Sequence, residues 1–506
     1  MQLDPQTCEK ARLSRDARFD GRFFVGVLTT GIYCRPICPA PTPKSENVRY
    51  FPSAAAASQS GLRPCLRCRP EASPGTPAWL GTSDTVSRAL ALIDSGALDE
   101  SSVDGLAERL GITTRHLSRL FREHLGAPPV AIAQTRRLLF AKKLINETDL
   151  SMADIAFSAG FGSVRRFNFI FQKTYGRQPS ALRRQRDPEH GPTTRAAPDG
   201  ELILELPYRA PLDWPGLVGF LAPRAIPGVE VVSPDSYRRT VSLSGSTGEL
   251  EVRPRSDRPC LELRLRLPNS RQLLNLVNRV RRLFDLGADP VEINSVLETD
   301  PHLRPLVRKR PGLRVPGAWE GFELAVRAIL GQQVTVKGAT TLAGRLVERF
   351  GTPLASQTVD GLKALFPTPE VLADAESETI GMPKTRATAI RRLAAAVVDG
   401  SINFDPAGDI EESTTRLTHL PGVGDWTAQY IAMRALGEPD AFPTSDLGLL
   451  KAASTDEHRL TPARLRKRAE AWRPWRAYAA MHLWNDPRAG GPTKRPISTP
   501  RTGATR

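Results

Sequence analysis

Cys34-Arg35-Pro36-Ile37-Cys38 and, further along the chain, Cys65-Leu66-Arg67-Cys68 are the stretches that decide the fold of the amino-terminal part. Their C-x3-C and C-x2-C spacings let each loop bring two sulfurs to the same metal ion, and four thiolates form a typical tetrahedral set for zinc. The pattern therefore predicts one Zn2+ site with Cys34, Cys38, Cys65 and Cys68 as ligands. On the cysteines alone, a purely structural zinc site remains open, and so does a pair of disulfides.

The residues around the cysteines resemble a known family. Thr29-Thr30-Gly31-Ile32-Tyr33 precede the first pair, Glu46-Asn47-Val48 follow it, and Arg63-Pro64 lead into the second pair. This arrangement is similar to the methyl-phosphotriester domain of Ada proteins, which are bacterial sensors of DNA methylation damage. The resemblance implies a small zinc-stapled α/β domain in which Cys34 is both a zinc ligand and the irreversible acceptor of a methyl group from a DNA methyl phosphotriester.

The chemistry of Cys34 can be argued from the metal. Zinc keeps a bound cysteine as its thiolate at neutral pH, and the thiolate is the form that attacks carbon. Methylation turns the thiolate into a neutral thioether, so the net charge of the cluster changes from about −2 to about −1 and repulsion of nearby phosphates weakens. We therefore expect the two states to differ in DNA affinity. The Ada resemblance implies that the methylated protein acts as a transcriptional activator.

Composition narrows the classes of protein to which the chain can belong. It has 506 residues, enough for several domains, and 70 lysines and arginines against 54 acids give a net charge of +16. This charge favours a polyanionic partner such as DNA. No apolar run approaches the length of about 18 residues that a membrane helix needs, and we expect a reducing cytoplasm. Outside the cluster, we expect Cys260 in a core and Cys8 in a mobile terminus.

The next part of the chain has a helical pattern with an internal repeat. Ala107 and Gly111 mark the turn of a helix-turn-helix, Ala156 and Gly160 repeat the spacing, and the helices that follow correspond at an offset of fifty residues. With the motif Gly160-Phe161-Gly162-Ser163, the repeat resembles the all-α module of AraC-type regulators, which reads successive major grooves without a dimer. The resemblance makes six side chains candidates for base or phosphate contacts: Arg115, His116, Arg119, Ser163, Arg165 and Arg166. A plain helical bundle with surface arginines is the alternative.

Beyond this module the pattern changes to that of half-buried strands. Leu202 to Leu206 and Leu261 to Leu267 alternate apolar with polar residues. The stretch from Leu212 to Ala225, which includes Trp214 and Phe220, resembles the amino-terminal domain of AlkA-type alkylbase DNA glycosylases. The resemblance implies an antiparallel-sheet α+β domain, in which the sequence indicates no catalytic chemistry.

The other strong signal is Leu420-Pro421-Gly422-Val423-Gly424, the turn of a helix-hairpin-helix. Gly422 and Gly424 let backbone N–H groups approach a DNA phosphate without an intervening side chain. Phe442-Pro443-Thr444-Ser445-Asp446 follows, and this pairing resembles the all-α helix-hairpin-helix glycosylases, AlkA in particular. The resemblance covers nearly all of residues 200–487 and implies excision of alkylated purines of the 3-methyladenine type.

By position, Asp446 matches the catalytic aspartate of that family. Loss of a base from C1′ builds positive charge on the sugar, which a carboxylate can stabilise while it orients or deprotonates water. The local sequence also allows Asp446 to be a helix N-cap. Trp426 stands where bifunctional relatives have a lysine that forms a Schiff base, which implies a monofunctional enzyme that leaves an intact abasic site. No cysteine follows Cys260, which excludes the iron–sulfur cluster of some relatives.

Three aromatic residues, Trp426, Tyr430 and Trp484, match base-pocket residues of AlkA, where a flipped base would stack. A cationic alkylated purine over an indole face gains about 0.5 to 2 kcal/mol. Core packing is the alternative for each ring. Two residues depart from the AlkA pattern: Gln333 stands where a leucine enters the DNA helix, and Leu447 replaces an aromatic residue beside the catalytic position.

These patterns together predict a multidomain α+β protein of Ada–AlkA type that acts in the response to DNA alkylation. We expect it to bind double-stranded DNA and RNA polymerase as a monomer. No Pro-Cys-His-Arg motif occurs, so direct reversal of base methylation is not expected. The predicted parts are a zinc domain (1–78), a double helix-turn-helix domain (84–185), a linker (186–199), a sheet domain (200–310), a helix-hairpin-helix domain (311–487) and a disordered basic tail (488–506).

Two alternatives to this function remain open on the sequence. In the first, the chain is a transcription regulator whose glycosylase-like half only binds DNA. In the second, it is a repair enzyme whose amino-terminal half anchors it to DNA through a structural zinc site.

Overall fold

The computed structural model describes residues 4–74, 84–184, 201–354, 361–404, 410–454 and 460–489. The linker predicted for 186–199 lies outside these ranges, as does the tail predicted for 488–506 except for residues 488 and 489. The described residues form successive helical and sheet-containing units, which confirms the predicted multidomain α+β class.

The unit around the cysteines is a small four-stranded sheet with two helices. Its elements are α1 (Pro5–Leu13), β1 (Phe24–Val27), β2 (Ile32–Cys34), β3 (Val48–Phe51), α2 (Ala54–Gln59) and β4 (Arg63–Pro64). The strand order is β3-β1-β2-β4, and β2 and β4 are parallel. Because Tyr33 pairs with Pro64 in this parallel register, Cys34 and Cys65, the next residue after each, emerge side by side.

Cys8 lies in helix α1 and is buried, so its prediction as part of a mobile terminus was wrong. Asp4 caps the helix by accepting a hydrogen bond from the Thr7 backbone N–H at 3.0 Å, and Pro5 suits the first turn because its φ is already helical. Cys8 is 1% exposed and belongs to the same apolar cluster as Cys34. Burial, with a smaller contribution from Asp4, raises the pKa of the Cys8 thiol to about 11.

The second unit is all helical and contains two helix-turn-helix motifs. Its helices are α3 (Asp84–Asp94), α4 (Ala97–Glu100), α5 (Val103–Arg109), α6 (Thr114–Leu125), α7 (Pro129–Glu147), α8 (Met152–Ser158), α9 (Val164–Tyr175) and α10 (Pro179–Arg184). The motifs are α5–α6 and α8–α9, and α7 joins them. Thr113 and Ser163 cap α6 and α9, while Gly126 and Gly176 end them in the left-handed conformation. The repeat in the sequence is therefore a repeat of structure.

The third unit is a five-stranded antiparallel sheet with helices. Its elements are β5 (Leu202–Pro207), α11 (Trp214–Leu221), β6 (Glu230–Val232), β7 (Tyr237–Leu243), β8 (Ser246–Pro254), β9 (Cys260–Arg266) and α12 (Leu273–Leu283). The strand order is β5-β9-β8-β7-β6. Cys260 is buried, as predicted. One continuous apolar core contains both Leu204 of this sheet and Phe171 of α9, so the second and third units are packed together.

The remaining helices form the helix-hairpin-helix part. The elements are α13 (Pro290–Leu297), α14 (Leu303–Lys309), α15 (Gly321–Leu330), α16 (Val336–Phe350), β10 (Thr352–Pro353), β11 (Ala364–Leu365), α17 (Pro369–Ala373), α18 (Lys384–Val398), α19 (Ile410–Thr418), α20 (Asp425–Arg434), α21 (Leu447–Ala453), α22 (Pro462–Ala469) and α23 (Arg476–Trp484). Helix α20 contributes Ile431 to one apolar core and Met433 to another. Its position is therefore fixed by packing on both sides.

Buried ion pairs join the zinc-ligand unit to the rest of the protein. Glu71, three residues after Cys68, pairs with Lys142 of α7, and their side chains are 1% and 2% exposed. Asn146 Nδ2 also donates to Glu71, at 3.3 Å. On another side, Arg22 pairs with Asp289, the residue that caps α13. The position of the cysteine cluster is thus fixed relative to both the helix-turn-helix unit and the glycosylase-like half.

We predict that Glu71→Gln destabilises the protein by about 3–5 kcal/mol, because it leaves the charge of Lys142 buried without its counterion. A urea titration followed by far-UV circular dichroism measures the loss. Glu46→Gln is the matched control, since Glu46 lies 4.0 Å from Lys44 in a pair whose side chains are 73% and 82% exposed, and it should unfold with the wild type. Equal midpoints for the two variants would contradict a structural role of the buried pair.

Candidate active site and DNA-binding surfaces

The hairpin between α19 and α20 has the backbone geometry of a phosphate-binding turn. Gly422 adopts a left-handed φ of +91°, and a Cβ there would lie 2.8 Å from Ala389 Cβ, so glycine is required on both grounds. Gly424 caps α20, and nothing lies within 4 Å of the place its Cβ would take. A phosphate can therefore approach the free N–H groups at the start of α20, where the helix dipole also favours an anion.

Asp446 lies at the start of α21 and has three N–H donors around its carboxylate. Oδ1 accepts from the backbone N–H of Leu449 at 2.9 Å, so Asp446 is a helix N-cap, as the alternative from the sequence stated. The indole Nε1–H of Trp426 donates to Oδ2 at 2.8 Å, and that of Trp484 donates to Oδ1 at 2.9 Å. The two indole bonds go beyond what a cap needs, and they fix the plane of a half-buried carboxylate.

The three predicted pocket aromatics lie together beside Asp446. Trp426 and Tyr430 are one helical turn apart on α20, and their rings stack at 5.2 Å between centroids with an interplanar angle of 8°. Trp484 of α23 meets Tyr430 edge to face at 6.3 Å. All three side chains are only partly buried. They form a wall with an accessible surface, and Tyr430 and Trp484 also pack against the neighbouring core.

Phe220 of α11 also lies in this region, and no role was predicted for it from the sequence. It packs against the same apolar cluster as Tyr430 and Trp484. The guanidinium of Arg434 lies 5.0 Å from the Phe220 ring and 5.5 Å from the Tyr430 ring, and that of Arg224 lies 3.8 Å from Phe220. The sheet domain therefore contributes a side chain to the candidate pocket. The only signal in the sequence was the resemblance of the stretch around Phe220 to the amino-terminal domain of AlkA.

The hydroxyl of Tyr430 also accepts a hydrogen bond from a charged side chain. Arg434 Nη1 donates to the Tyr430 hydroxyl oxygen at 2.8 Å. Burial by itself raises the pKa of Tyr430, but the positive charges of Arg434 and Arg224 outweigh it, and the net pKa lies below the usual value for tyrosine. Because Arg434 occupies the oxygen as a donor, the hydroxyl proton remains available to an acceptor atom in the pocket.

Gln333 lies on the loop between α15 and α16, beside the hairpin. It is exposed and has a left-handed φ of +56°. The adjacent Gln332 ties this loop to the hairpin, since its Nε2 donates to the Gly422 carbonyl at 2.7 Å and to Thr427 Oγ1 at 3.1 Å. Next to the catalytic candidate, Leu447 is 73% exposed. The loop, the hairpin and the start of α21 thus belong to one connected surface around Asp446.

The four cysteine sulfurs are close enough to bind one metal ion. Each of Cys34, Cys38, Cys65 and Cys68 offers a sulfur, and these four atoms lie within 4.8 Å of one another. A tetrahedral site with Zn–S bonds of about 2.3 Å needs sulfurs about 3.8 Å apart, so the donor set fits zinc. The backbone N–H of Arg35 points to the Cys68 sulfur at 3.3 Å, and the Arg35 guanidinium is paired with the buried Asp20.

The candidate DNA contacts of the helix-turn-helix unit lie on two exposed helix faces. On α6, Arg115, His116 and Arg119 are exposed, and on α9, Arg165 and Arg166 are exposed. Ser163 has a structural role in addition, because its Oγ caps α9 by accepting from the Arg166 backbone N–H at 3.2 Å. The base or phosphate contacts of these six residues stay a prediction.

Sequence comparison matches each of these units to a known domain. Residues 7–71 match the metal binding domain of Ada, 106–185 a helix-turn-helix domain, 203–320 the AlkA N-terminal domain, and 326–476 the HhH-GPD superfamily of base excision DNA repair proteins. The fold and the site thus define a protein that joins a zinc-dependent, DNA-binding regulatory half to a DNA glycosylase of the AlkA type.

Relatives with the same arrangement define the family. The chain is 45% identical over 485 residues to the probable bifunctional transcriptional activator/DNA repair enzyme AlkA of Mycobacterium tuberculosis, covering 96% of this chain and 97% of that protein. It is 36% identical to DNA-3-methyladenine glycosylase 2 of Escherichia coli, covering 56% of this chain and 96% of that protein. AdaA of Bacillus subtilis, a bifunctional transcriptional activator/DNA repair enzyme, is 31% identical over 34% of this chain and 80% of its own length.

The chain belongs to the family of bifunctional transcriptional activator/DNA repair enzymes of Ada–AlkA type, as the resemblances in its sequence predicted. The four clustered cysteines form a single zinc site. Among the residues that the structure describes, no helix has the length and apolar character to cross a membrane.

We predict that Trp484→Phe lowers the rate of base release by about tenfold or more, because it keeps a ring in the pocket but removes the N–H donor to Asp446. Single-turnover kinetics with alkylated duplex DNA measures the rate. Trp472→Phe is the matched control, since Trp472 Nε1 donates to Asp300 at 2.9 Å and not to Asp446, and that variant should lose stability without losing rate. Equal rates for Trp484→Phe and wild type would show that the Trp484 hydrogen bond does not serve the reaction.

Proposed function

We propose that Asp446 is the catalytic carboxylate of a monofunctional glycosylase that removes alkylated purines from DNA. The observation that carries this proposal is the pair of indole hydrogen bonds from Trp426 and Trp484, which turn an ordinary N-cap carboxylate towards a partly open aromatic wall. A carboxylate held in this way can stabilise developing positive charge without reorganising during the reaction. The phosphate-binding hairpin that precedes it holds the DNA backbone nearby.

In the proposed reaction, the bond between C1′ and the purine nitrogen breaks, and its electron pair leaves with the base. Asp446 stabilises the positive charge that develops on the sugar and orients a water molecule, which adds to C1′ as its proton passes to the Asp446 carboxylate and from there to solvent. An alkylated purine leaves readily because its own positive charge is neutralised when it takes the electron pair. Trp426 stands where a Schiff-base lysine would be needed to cut the strand, so the product is an intact abasic site.

The aromatic wall gives the base a place to bind once it has left the helix. Trp426, Tyr430 and Trp484 present ring faces and edges beside the carboxylate, and a cationic purine on an indole face gains about 0.5 to 2 kcal/mol. This preference is modest, so most selectivity comes from the weakened glycosidic bond of the damaged base. Gln333, on the exposed loop tied to the hairpin, takes the position beside the gap in the helix.

We also propose that Cys34 accepts a methyl group from DNA methyl phosphotriesters. Its sulfur attacks the methyl carbon, the carbon–oxygen bond breaks, and the phosphodiester leaves with the electron pair, so the thiolate becomes a thioether and is not regenerated. Bound zinc supplies the thiolate at neutral pH. The Cys34 side chain is at the edge of the accessible surface, with the residue 9% exposed, while Cys38 is more exposed. Exposure alone does not choose between them, and the Ada resemblance favours Cys34.

Loss of one negative charge on the cluster would then increase affinity for promoter DNA and make the protein a transcriptional activator. Two helix-turn-helix motifs in one chain support binding as a monomer, because a single chain can occupy two half-sites. RNA polymerase is the expected partner at the promoter. A reducing cytoplasm would keep the cysteines of the site as thiols. With the domain limits proposed from the sequence, methyl transfer belongs to the zinc domain and base release belongs to the helix-hairpin-helix domain.

We predict that Asp446→Asn reduces base release by at least about 100-fold, because the amide cannot stabilise positive charge on the sugar. The asparagine oxygen can still accept from the Leu449 N–H, so the helix cap and the fold remain. Release of methylated purines from alkylated duplex DNA is measured by chromatography, and strand cutting is measured on the same DNA. Absence of release by wild type and variant, with DNA binding intact, would support a regulator whose glycosylase half only binds DNA.

We predict that exposure of the full chain to DNA containing methyl phosphotriesters adds one methyl group to the peptide that contains Cys34. Mass spectrometry of the digested protein identifies the modified residue. Cys34→Ser should abolish the transfer, and Cys260→Ala, which removes a buried thiol outside the cluster, should not. A methyl group on Cys38 would contradict the assignment of Cys34. Unmodified cysteines that remain bound to zinc would support a structural zinc site that only anchors the enzyme.

A further inference from the structure

The two recognition helices of the helix-turn-helix unit, α6 and α9, align with each other without gaps at an offset of fifty residues. Thr113 and Ser163 are the N-caps of α6 and α9, and Gly126 and Gly176 are their left-handed C-caps. Both helices have twelve residues. Each residue of α6 therefore has a counterpart in α9 fifty positions later, and the two helices can be compared side chain by side chain.

The exposed faces of the two helices contain equivalent positions. In α6 the exposed residues are Arg115, His116, Arg119, Arg122 and Glu123, and in α9 they are Arg165, Arg166, Phe169, Gln172 and Lys173. These positions are spaced three and four apart, so they form one stripe along each helix. In both helices the opposite side is buried, with Leu117 and Phe121 in α6 and Phe167 and Phe171 in α9.

At one position the exposed stripe of α9 has an apolar side chain where the stripe of α6 has a charged one. Phe169 stands where α6 has Arg119, and it is 66% exposed. It is not part of the core, because Phe167, Ile170 and Phe171 already fill the buried side of α9. Single exposed apolar residues are common on protein surfaces, but this ring stands in the middle of the stripe that a recognition helix presents to the major groove.

We propose that Phe169 reads the C5-methyl group of a thymine in the major groove of the second half-site. Thymine presents an apolar group in the major groove, and a phenyl ring can recognise it only by contact, since the ring has no hydrogen-bonding group. Arg119, at the same position of the first helix, instead carries a fork of donors that suits guanine. The two helices thus recognise different bases, and the target site is asymmetric.

The charge around Phe169 favours DNA over a protein surface as its partner. Arg165, Arg166 and Lys173 lie on the same exposed stripe, and a basic rim fits the phosphates on either side of a groove. The inference requires DNA binding by the helix-turn-helix unit and does not depend on the reactions proposed for Asp446 or Cys34. Failure of those reactions would leave it intact.

The test uses the full chain, loaded with zinc, and a duplex selected by it from random sequence. The selection is run with untreated protein and with protein exposed to methylated DNA. In the selected duplex each thymine is replaced in turn by deoxyuridine, which removes only the methyl group. We expect one replacement in the half-site of α9 to weaken wild-type binding by about three- to tenfold. Phe169→Ala should bind the thymine and deoxyuridine duplexes equally.

Two variants make the readout specific to this contact. Phe169→Arg should change the preferred base at that position from thymine to guanine, because a guanidinium can donate to both O6 and N7. Arg119→Ala is the matched control on the other helix, and it should weaken binding while it keeps the penalty for deoxyuridine in the second half-site. Circular dichroism checks that the variants keep the wild-type helix content, which we expect because both side chains are exposed.

Four results would overturn the proposal. The first is a selected duplex in which no deoxyuridine replacement affects wild-type binding, and the second is a penalty that Phe169→Ala retains. The third is a Phe169→Ala protein that binds DNA normally but fails to activate transcription, which would assign the ring to RNA polymerase. Failure of the wild-type chain to select any sequence would equally exclude base reading by Phe169.

Discussion

Convergence of four thiolates on one zinc ion is the constraint on which the amino-terminal unit depends. Its strands are only two to four residues long, and a domain of this size has a small hydrophobic core. The parallel pairing of β2 with β4 brings Cys34 and Cys65 together, and metal binding then supplies the folding free energy that the small core lacks. The ligand set that holds the unit together is also the set whose charge changes if Cys34 is methylated.

The zinc unit does not stand apart from the rest of the chain. Glu71, just beyond the last zinc ligand, is buried against Lys142 of the helix that joins the two helix-turn-helix motifs. Arg22 contacts Asp289, which caps a helix of the glycosylase-like half. Such contacts mean that the cluster, the helix-turn-helix motifs and the glycosylase fold are held in a defined arrangement. Both halves also contain a domain of a DNA-binding class, a helix-turn-helix domain in one and an HhH-GPD domain in the other.

Much of this organisation was predictable because it is encoded locally. The cysteine spacing predicted a zinc site, the fifty-residue repeat predicted two helix-turn-helix motifs, and the glycines of the hairpin predicted its turn. Asp446 could be singled out because the hairpin and the segment that ends at Asp446 together resemble the helix-hairpin-helix glycosylases, although the sequence could not separate a catalytic carboxylate from a helix cap. The structure has Asp446 as a cap that also receives two indole hydrogen bonds. Cys8 was misjudged because burial of α1 depends on partners elsewhere in the chain.

The sequence by itself determined the four metal ligands and the order of the units, since these depend on spacings within a few turns or strands, and its resemblances to known families implied the class of each unit. Only the tertiary structure decided which distant residues share a site. Phe220 and Tyr430 come from different units yet pack on one cluster, and Trp484 reaches Asp446 from another helix. Such contacts have no local signature, because they follow from how whole helices and sheets pack against one another and not from the periodicity of any one segment.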